Sequence, residues 1–395
     1  MNVILKSSVN DVTLISVSGR VDGNNSAELK AKIQEIREAN PGGELVIDMD
    51  GLEYISSAGL RVMLYFSKEE KGNFRIINVS WEVMEIFSMT GFTDIMSISK
   101  KMKEISVEGC ELIGRGANGE VYRLDDETIV KLFAETASLD VIEREKALSQ
   151  KAMTYGIPTA ITFEIVKCGS RYGAVFELLN AKTLSGVIKQ DPAAFDTYAD
   201  TYADLYKSLH DTAVKSDDFP SIKNIYYDYI DDCRDWYTPE QLDTLRRIVD
   251  SIPDRDTLIH GDYHANNIMV VDGELMLIDM GDLSYGHPIF DFLATAATQV
   301  NLVKLNPAFA EIHTNMPVEM ITRLWSHLMN RYFAGRTEVD RKRIEEQIAL
   351  FSKLKVALAP AVAKGLDPEI MKASVNDAIE NFLSRADELI GAVDW

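Results

Sequence analysis

Cysteine is scarce in this 395-residue chain. Cys110, Cys168 and Cys233 are odd in number and lack the paired spacing of a zinc site, so neither a disulfide framework nor a cysteine-held metal is expected. They read as reduced thiols of a cytosolic protein. Positive charge is short as well: 41 Lys and Arg against 62 Asp and Glu leave a net charge of -21. That balance repels nucleic-acid backbones and anionic membranes, and it tolerates a cationic ligand. Long apolar runs are missing. None reaches membrane-spanning length, and Met1-Asn2-Val3-Ile4-Leu5-Lys6 has neither a basic start nor an apolar core. The expectation is a soluble, cytoplasmic protein with no nucleic-acid or membrane partner. Its length predicts two or three domains.

What the chain does have is concentrated in one stretch. His260-Gly261-Asp262-Tyr263-His264-Ala265-Asn266-Asn267 is followed closely by Ile278-Asp279-Met280-Gly281-Asp282. The residues between read as two short apolar strands around Asp272-Gly273, a strong hairpin signal. With those two residues in the turn, Asn267 faces Ile278 and Asp279 is its diagonal neighbour. The hairpin therefore brings Asp262, Asn267 and Asp279 together. An amide and a carboxylate at a strand mouth, with a second carboxylate nearby, are hard oxygen donors of the kind Mg²⁺ prefers.

His-x-Asp-x-x-x-x-Asn followed by an Asp after the next strands is the kinase catalytic pattern. With Gly261 in place of Arg, it resembles the aminoglycoside phosphotransferase and choline kinase branch of the protein-kinase-like fold. The resemblance implies a bilobal α+β domain with a mainly helical C-lobe, using ATP and Mg²⁺. It implies Asp262 as the proton acceptor and Asn267 and Asp279 as metal ligands. Asp291, in Tyr285-Gly286-His287-Pro288-Ile289-Phe290-Asp291, resembles a family Asp that braces the catalytic loop. His210 and His264 read as packing and loop structure, and Asp282 as a minor candidate for a second metal.

The nucleotide half comes earlier. Gly114-Arg115-Gly116-Ala117-Asn118-Gly119-Glu120-Val121 is G-x-G-x-x-G-x-V, which alone could mark a dinucleotide fold. A dinucleotide loop would open a helix, but here strand-like residues follow, and Thr128–Leu132 is another strand carrying Lys131. Glycine loop, hairpin, then Lys is the kinase order. Gly114, Gly116, Gly119 and Val121 are the expected phosphate and base neighbours, and Lys131 the charge for the α- and β-phosphates. A helix over 138–155 should hold Lys131 through Glu145, with Glu143 second. Val141, Leu148 and Ala152 are expected on its inward face. The strand Ala174–Leu179 leads by resemblance into an adenine-binding hinge around Glu177 and Leu179.

The helical half is predicted over 195–212, 226–236, 241–252, 318–333, 339–359 and 367–392. Tyr198, Tyr202 and Tyr206 recur every four residues, as a packing face does. From Asp279 to Asp291 there is too little chain for an activation loop, and no Ala-Pro-Glu follows. Without that peptide platform, a small hydroxyl- or amine-bearing acceptor fits better than a protein.

The first hundred residues alternate strands (3–7, 12–17, 45–48, 74–79) with helices (24–40, 57–71, 81–87), which predicts a small α/β domain. Asp48-Met49-Asp50-Gly51-Leu52-Glu53-Tyr54-Ile55-Ser56-Ser57-Ala58-Gly59-Leu60-Arg61-Val62 resembles the STAS domains of anti-sigma factor antagonists. That resemblance implies an anti-sigma-type protein partner and a regulatory phosphorylation at Ser57, the start of a helix, where free N–H groups receive phosphate. Ser56 stands where regulated members carry Asp. Either serine could instead be a helix N-cap. The division expected is a STAS-like domain over 1–99, a kinase-like N-lobe over 100–182 and a helical C-lobe over 183–395. The function expected is an ATP- and Mg²⁺-dependent phosphotransferase acting on a small acceptor, with the STAS domain as regulator. The alternatives are a protein serine kinase acting on Ser57 or a partner's equivalent, and a catalytically silent nucleotide-binding scaffold.

Overall fold

The structure, a computed structural model, describes residues 1–9, 11–116, 119–179, 181–362 and 368–395. It has two compact units, Met1–Ser106 and Val107–Trp395. As expected, the first is a small α/β domain and the second an α+β domain with a helical C-terminal part. Among the described residues, no helix is long and apolar enough to cross a membrane.

In the first unit, β1 (Asn2–Val9) and β2 (Val12–Val21) form an antiparallel hairpin. Next come α1 (Ser26–Ala39), β3 (Glu44–Asp48), β4 (Leu52–Ile55), α2 (Ser57–Glu69), β5 (Phe74–Val79), α3 (Trp81–Met89), β6 (Ser97–Lys100) and a short β7 (Lys103–Glu104). The sheet runs β1-β2-β3-β5-β6, with β2, β3, β5 and β6 parallel and β4 beside β2. Strands β4 and β6 have four residues each, too short to announce themselves by periodicity. The boundary expected between residues 99 and 100 falls inside β6. Helix α2 lies tight on the sheet because Gly59 has no side chain. A Cβ there would stand 2.6 Å from Val21 Cγ1 and 2.7 Å from Ile55 Cγ1. Ser56 is the N-cap of α2, accepting the Gly59 N–H at 3.4 Å, which leaves Ser57 as the exposed first residue of the helix.

The second unit opens with an antiparallel sheet built from β8 (Glu111–Gly116), β9 (Gly119–Arg123), β10 (Thr128–Phe133), β11 (Thr162–Cys168) and β12 (Arg171–Glu177), in the order β11-β12-β10-β9-β8. Helix α4 (Leu139–Thr154) lies between β10 and β11 in sequence. The remaining chain gives β13 (Lys182–Thr183), α5 (Leu184–Gln190), α6 (Phe195–Asp211), α7 (Ile222–Asp232) and α8 (Pro239–Ser251). Then come β14 (Thr257–Ile259), β15 (Ile268–Val271), β16 (Glu274–Leu277), β17 (Ser284–Gly286) and α9 (Ile289–Ala296). Tyr202 and Tyr206 of α6 are fully buried in the larger apolar core, as their spacing implies. The helix expected over 339–359 ends at Phe351 and resumes as Lys353–Ala357. Buried Ser352 stands at the break: its hydroxyl donates back to Ala349 O at 2.8 Å, competing with the helix's own bonds, and accepts from Asn301 Nδ2 at 2.8 Å. Helix Pro307–Thr314 was not expected.

Two measurements follow from this packing. Gly43 has φ +67, and a Cβ there would meet Asp11 O at 1.8 Å. Gly43→Ala is therefore expected to destabilise the first unit by roughly 2 kcal/mol, read as a lower unfolding midpoint of the full chain. His287 is buried and neutral: Nδ1 accepts the Ile289 N–H at 3.1 Å and Nε2 donates to Trp395 O at 3.0 Å. Burial pushes its pKa from 6.5 down to about 4. The unfolded chain takes up the proton first as pH falls, so this contribution is complete above 6.5 and is lost on descending to about 4. It amounts to roughly 3 kcal/mol, and His287→Asn should flatten denaturant stability against pH by that much in this window.

Candidate active site

Lys131 sits in the middle of β10, opposite Val121 on one side and Ala174 on the other, so all three share one face of the sheet. Its ammonium lies 2.9 Å from Glu145 Oε1 and 2.9 Å from Asp279 Oδ1, with the side chain 15% exposed. Burial works against that charge, but the two carboxylates outweigh it and raise the lysine pKa. Burial also raises Glu145, against the pull of Lys131. Glu143, the second choice, is exposed. One detail of α4 needs correcting: Val141 is 57% exposed and Ile142 is buried instead. Leu148 and Ala152 face inward as expected, Ile142 takes the place of Val141 in the first turn, and Glu145 one turn after Ile142 reaches the lysine.

The glycine loop is shaped by strand pairing. Gly116 pairs with Gly119, and Gly114 with Val121. Gly119 has φ +150, and a Cβ there would fall 2.1 Å from Leu132 O, so backbone packing alone demands glycine. Ala117 and Asn118 lie outside the described residues. At the other end of the sheet, the Glu177 carboxylate accepts the Ile161 N–H at 2.8 Å and so ties two chain segments together. The Leu178 N–H donates to Glu127 O at 2.7 Å, and Leu179 O accepts from the Ala181 N–H at 2.8 Å.

The β15–β16 hairpin has the register its turn dictates: Ile268 pairs with Leu277 and Val271 with Glu274. Asp272 (φ +51) and Gly273 (φ +88) make the turn. The ladder continues one step beyond the strands, where the Ile278 N–H donates to Asn267 O at 2.9 Å. This places Asp279 one residue from the partner of Asn267. Asn267 Nδ2 donates to Asp262 O at 3.1 Å and to Asp262 Oδ2 at 3.0 Å. With its NH₂ committed to two acceptors, the amide oxygen of Asn267 points the other way. Asp262 is half-exposed, with 43% of its side chain open, and burial that would raise its pKa is overcome by His264, leaving it well below the ordinary carboxylate range.

The loop is held from beneath by Asp291, which is fully buried at the start of α9. Its Oδ2 accepts the His260 N–H at 2.8 Å and its Oδ1 the Gly261 N–H at 2.6 Å. His210 Nε2 lies 3.1 Å from Oδ2, and His210 Nδ1 reaches Tyr332 Oη at 3.0 Å. Burial would raise the Asp291 pKa, but His210 and the loop N–H groups bring it below the usual value. Gly261 has φ +85, and a Cβ there would come 2.8 Å from Asp282 Cβ and 2.9 Å from Asp282 O. An arginine at 261 has no room in this loop.

The structure thus joins Lys131, Glu145 and Asp279 directly, joins Asp262 and Asn267 directly, and links the two sets through one backbone hydrogen bond. Ser57 belongs to the other unit. Two features had no signal in the chain. Ser185 Oγ donates to Asn266 Oδ1 at 3.1 Å, fastening the loop to α5. The His313 ring lies 5.2 Å from that of His264, from a helix that periodicity did not reveal.

Among curated proteins, part of the chain is similar to the anti-sigma-B factor antagonist of Bacillus subtilis (strain 168). The two are 29% identical over 104 residues, which is 26% of this chain and 93% of that protein. It is also 28% identical over 95 residues to the putative anti-sigma factor antagonist BtrV of Bordetella bronchiseptica, covering 23% of this chain and 80% of that protein. Solved structures that resemble it include aminoglycoside phosphotransferase APH(2'')-Ib in its ADP-bound form. That match is 16% identical, with 76% of this chain and 98% of that one covered and a TM-score of 0.47. Another is a choline/ethanolamine kinase family protein from Mesorhizobium loti, 13% identical, with 72% and 92% covered and a TM-score of 0.42. The STAS domain model matches residues 4–105 and the phosphotransferase enzyme family model residues 109–313. The chain belongs to the phosphotransferase enzyme family and carries a STAS domain ahead of its phosphotransferase domain.

Proposed function

We propose that the second unit transfers the γ-phosphoryl group of ATP, with Mg²⁺, to the hydroxyl or amine of a small molecule. The observation that carries this is the Lys131–Glu145–Asp279 cluster, tied through Ile278 and Asn267 to the loop bearing Asp262. Lys131, fixed by Glu145, meets the α- and β-phosphates. Asp262 accepts a hydrogen bond from the acceptor and takes its proton as the phosphoryl group departs from ADP. Its lowered pKa keeps it ionised, so that it can accept the hydrogen bond that orients the acceptor. Catalysis of this kind is mostly positioning and charge neutralisation.

The donor set suits magnesium. Asn267 offers its amide oxygen and Asp279 a carboxylate, both hard ligands. Magnesium keeps several waters and takes substrate phosphate oxygens, so one or two protein oxygens suffice to hold it. When bound, the ion neutralises phosphate charge. The short chain between Asp279 and Asp291 leaves no peptide platform, which favours a small acceptor.

The first unit we read as a regulatory module whose partner is an anti-sigma-type protein. A second reading takes Ser57 as the phosphate acceptor. It is favoured by one observation: Ser56 does the capping, so Ser57 is an exposed hydroxyl at a helix N-terminus.

An ATP-consumption assay across hydroxyl- and amine-bearing metabolites tests the main reading. Asp262→Asn should lower turnover by roughly 10²–10⁴-fold while nucleotide binding, followed by calorimetry, stays intact. Normal turnover in that variant would remove Asp262 from its role. Incubation with γ-labelled ATP tests the second reading: label on the chain should vanish in Ser57→Ala, and label that persists there ends it.

A further inference from the structure

The mechanism above gives Asp262 a task but does not say which of its oxygens performs it, and it leaves His264 unused. His264 is buried, and its Nδ1 accepts the Asn266 N–H at 3.2 Å. An acceptor at Nδ1 fixes the tautomer of the neutral ring, so the proton sits on Nε2. That Nε2 lies 3.5 Å from Asp262 Oδ2. The same Oδ2 takes Asn267 Nδ2 at 3.0 Å. Asn267 thus donates a hydrogen bond to this oxygen, and the Nε2 edge of His264 faces the same oxygen from 3.5 Å, beyond ordinary hydrogen-bond length. Among the described residues no hydrogen bond reaches Oδ1, and the side chain is open to solvent on one side. The His264 ring is itself walled by His313, 5.2 Å away at a 61° interplanar angle. Burial keeps His313 below the ordinary histidine value, so the wall is neutral.

We infer that His264 is a positioning residue that, with Asn267, pins Oδ2 of Asp262 and presents Oδ1 alone to the acceptor. This rests on the phosphotransfer reading. An aspartate carboxylate turns about its Cβ–Cγ bond unless something holds it, and a misaligned proton acceptor costs rate without weakening nucleotide binding. His264 touches neither ATP nor the acceptor in this scheme. It acts only through Asp262.

Two measurements on the full chain test this. The first is nitrogen NMR of histidine-labelled protein at neutral pH. The His264 ring should show the Nε2–H tautomer, and its Nε2 resonance should move in Asp262→Asn. An Nδ1–H tautomer, or a resonance indifferent to that substitution, overturns the assignment. The second uses water as the acceptor and measures phosphate release from MgATP. His264→Leu should lower kcat about tenfold with KM for ATP changed less than about twofold, while His264→Gln, whose amide N–H reaches the same oxygen, recovers part of the loss. An unchanged kcat in His264→Leu, at an unaltered thermal midpoint, overturns it. If the wild-type chain releases no phosphate to water, the tautomer measurement alone decides whether His264 holds Asp262, and the phosphotransfer reading stands or falls separately on the metabolite assay.

Discussion

One ammonium group organises the phosphotransferase unit. Lys131 comes from a central strand, Glu145 from the helix that follows, and Asp279 from beyond a hairpin 148 residues away, and all meet at one nitrogen. A charge this enclosed is costly unless it is paired, and removing one partner leaves the others exposed to that cost. The pairing therefore constrains all three elements together: the strand register, the phase of α4 and the position of the loop after β16. Helix α4 shows how this works. Its apolar face runs through Ile142, Leu148 and Ala152 into the unit, and Glu145, one turn after Ile142, is thereby brought to the lysine.

The second constraint is mechanical. The loop over 260–267 has little regular structure of its own, and the N–H groups of its first two residues end on the Asp291 carboxylate. Because Asp291 opens α9 inside the apolar core, the loop inherits the rigidity of a packed helix. His210 and Tyr332 extend the same network to two further helices. A glycine at 261 is the local consequence, since the loop turns so closely over Asp282 that a side chain has no place. The residue that departs from the protein-kinase pattern is thus fixed by backbone geometry, whatever it also means for regulation.

Much of this was legible because the signals are local. The Asp272-Gly273 turn sets a hairpin register, and the register sets which residues face one another, so the convergence of Asn267 and Asp279 follows from a dozen consecutive residues. The order of glycine loop, hairpin and lysine is local too. Contacts made late in the chain left no such trace. His313 lies far along the sequence from His264, in a helix with no strong apolar stripe. At the helix break, Ser352 bonds Asn301, a partner no periodicity identifies. Strands β4 and β6 were lost for a different reason, because Leu-Glu-Tyr-Ile and Ser-Ile-Ser-Lys lack the continuous apolar run that marks the equally short β15 and β16.

Local strain ties these observations together. Asp279 has φ +61, a left-handed conformation that costs a non-glycine residue on the order of 1 kcal/mol or more. Such a residue stays put only if its surroundings insist on it. Here the Asn267–Ile278 hydrogen bond fixes the backbone on one side, and Lys131 holds the side chain on the other. Relaxing Asp279 would break the ion pair that keeps Lys131 charged, so the strain and the charge pairing maintain each other. The site is therefore organised by the chain itself, with the amide oxygen of Asn267 and the carboxylate of Asp279 held on neighbouring strand ends by bonds that involve neither nucleotide nor metal.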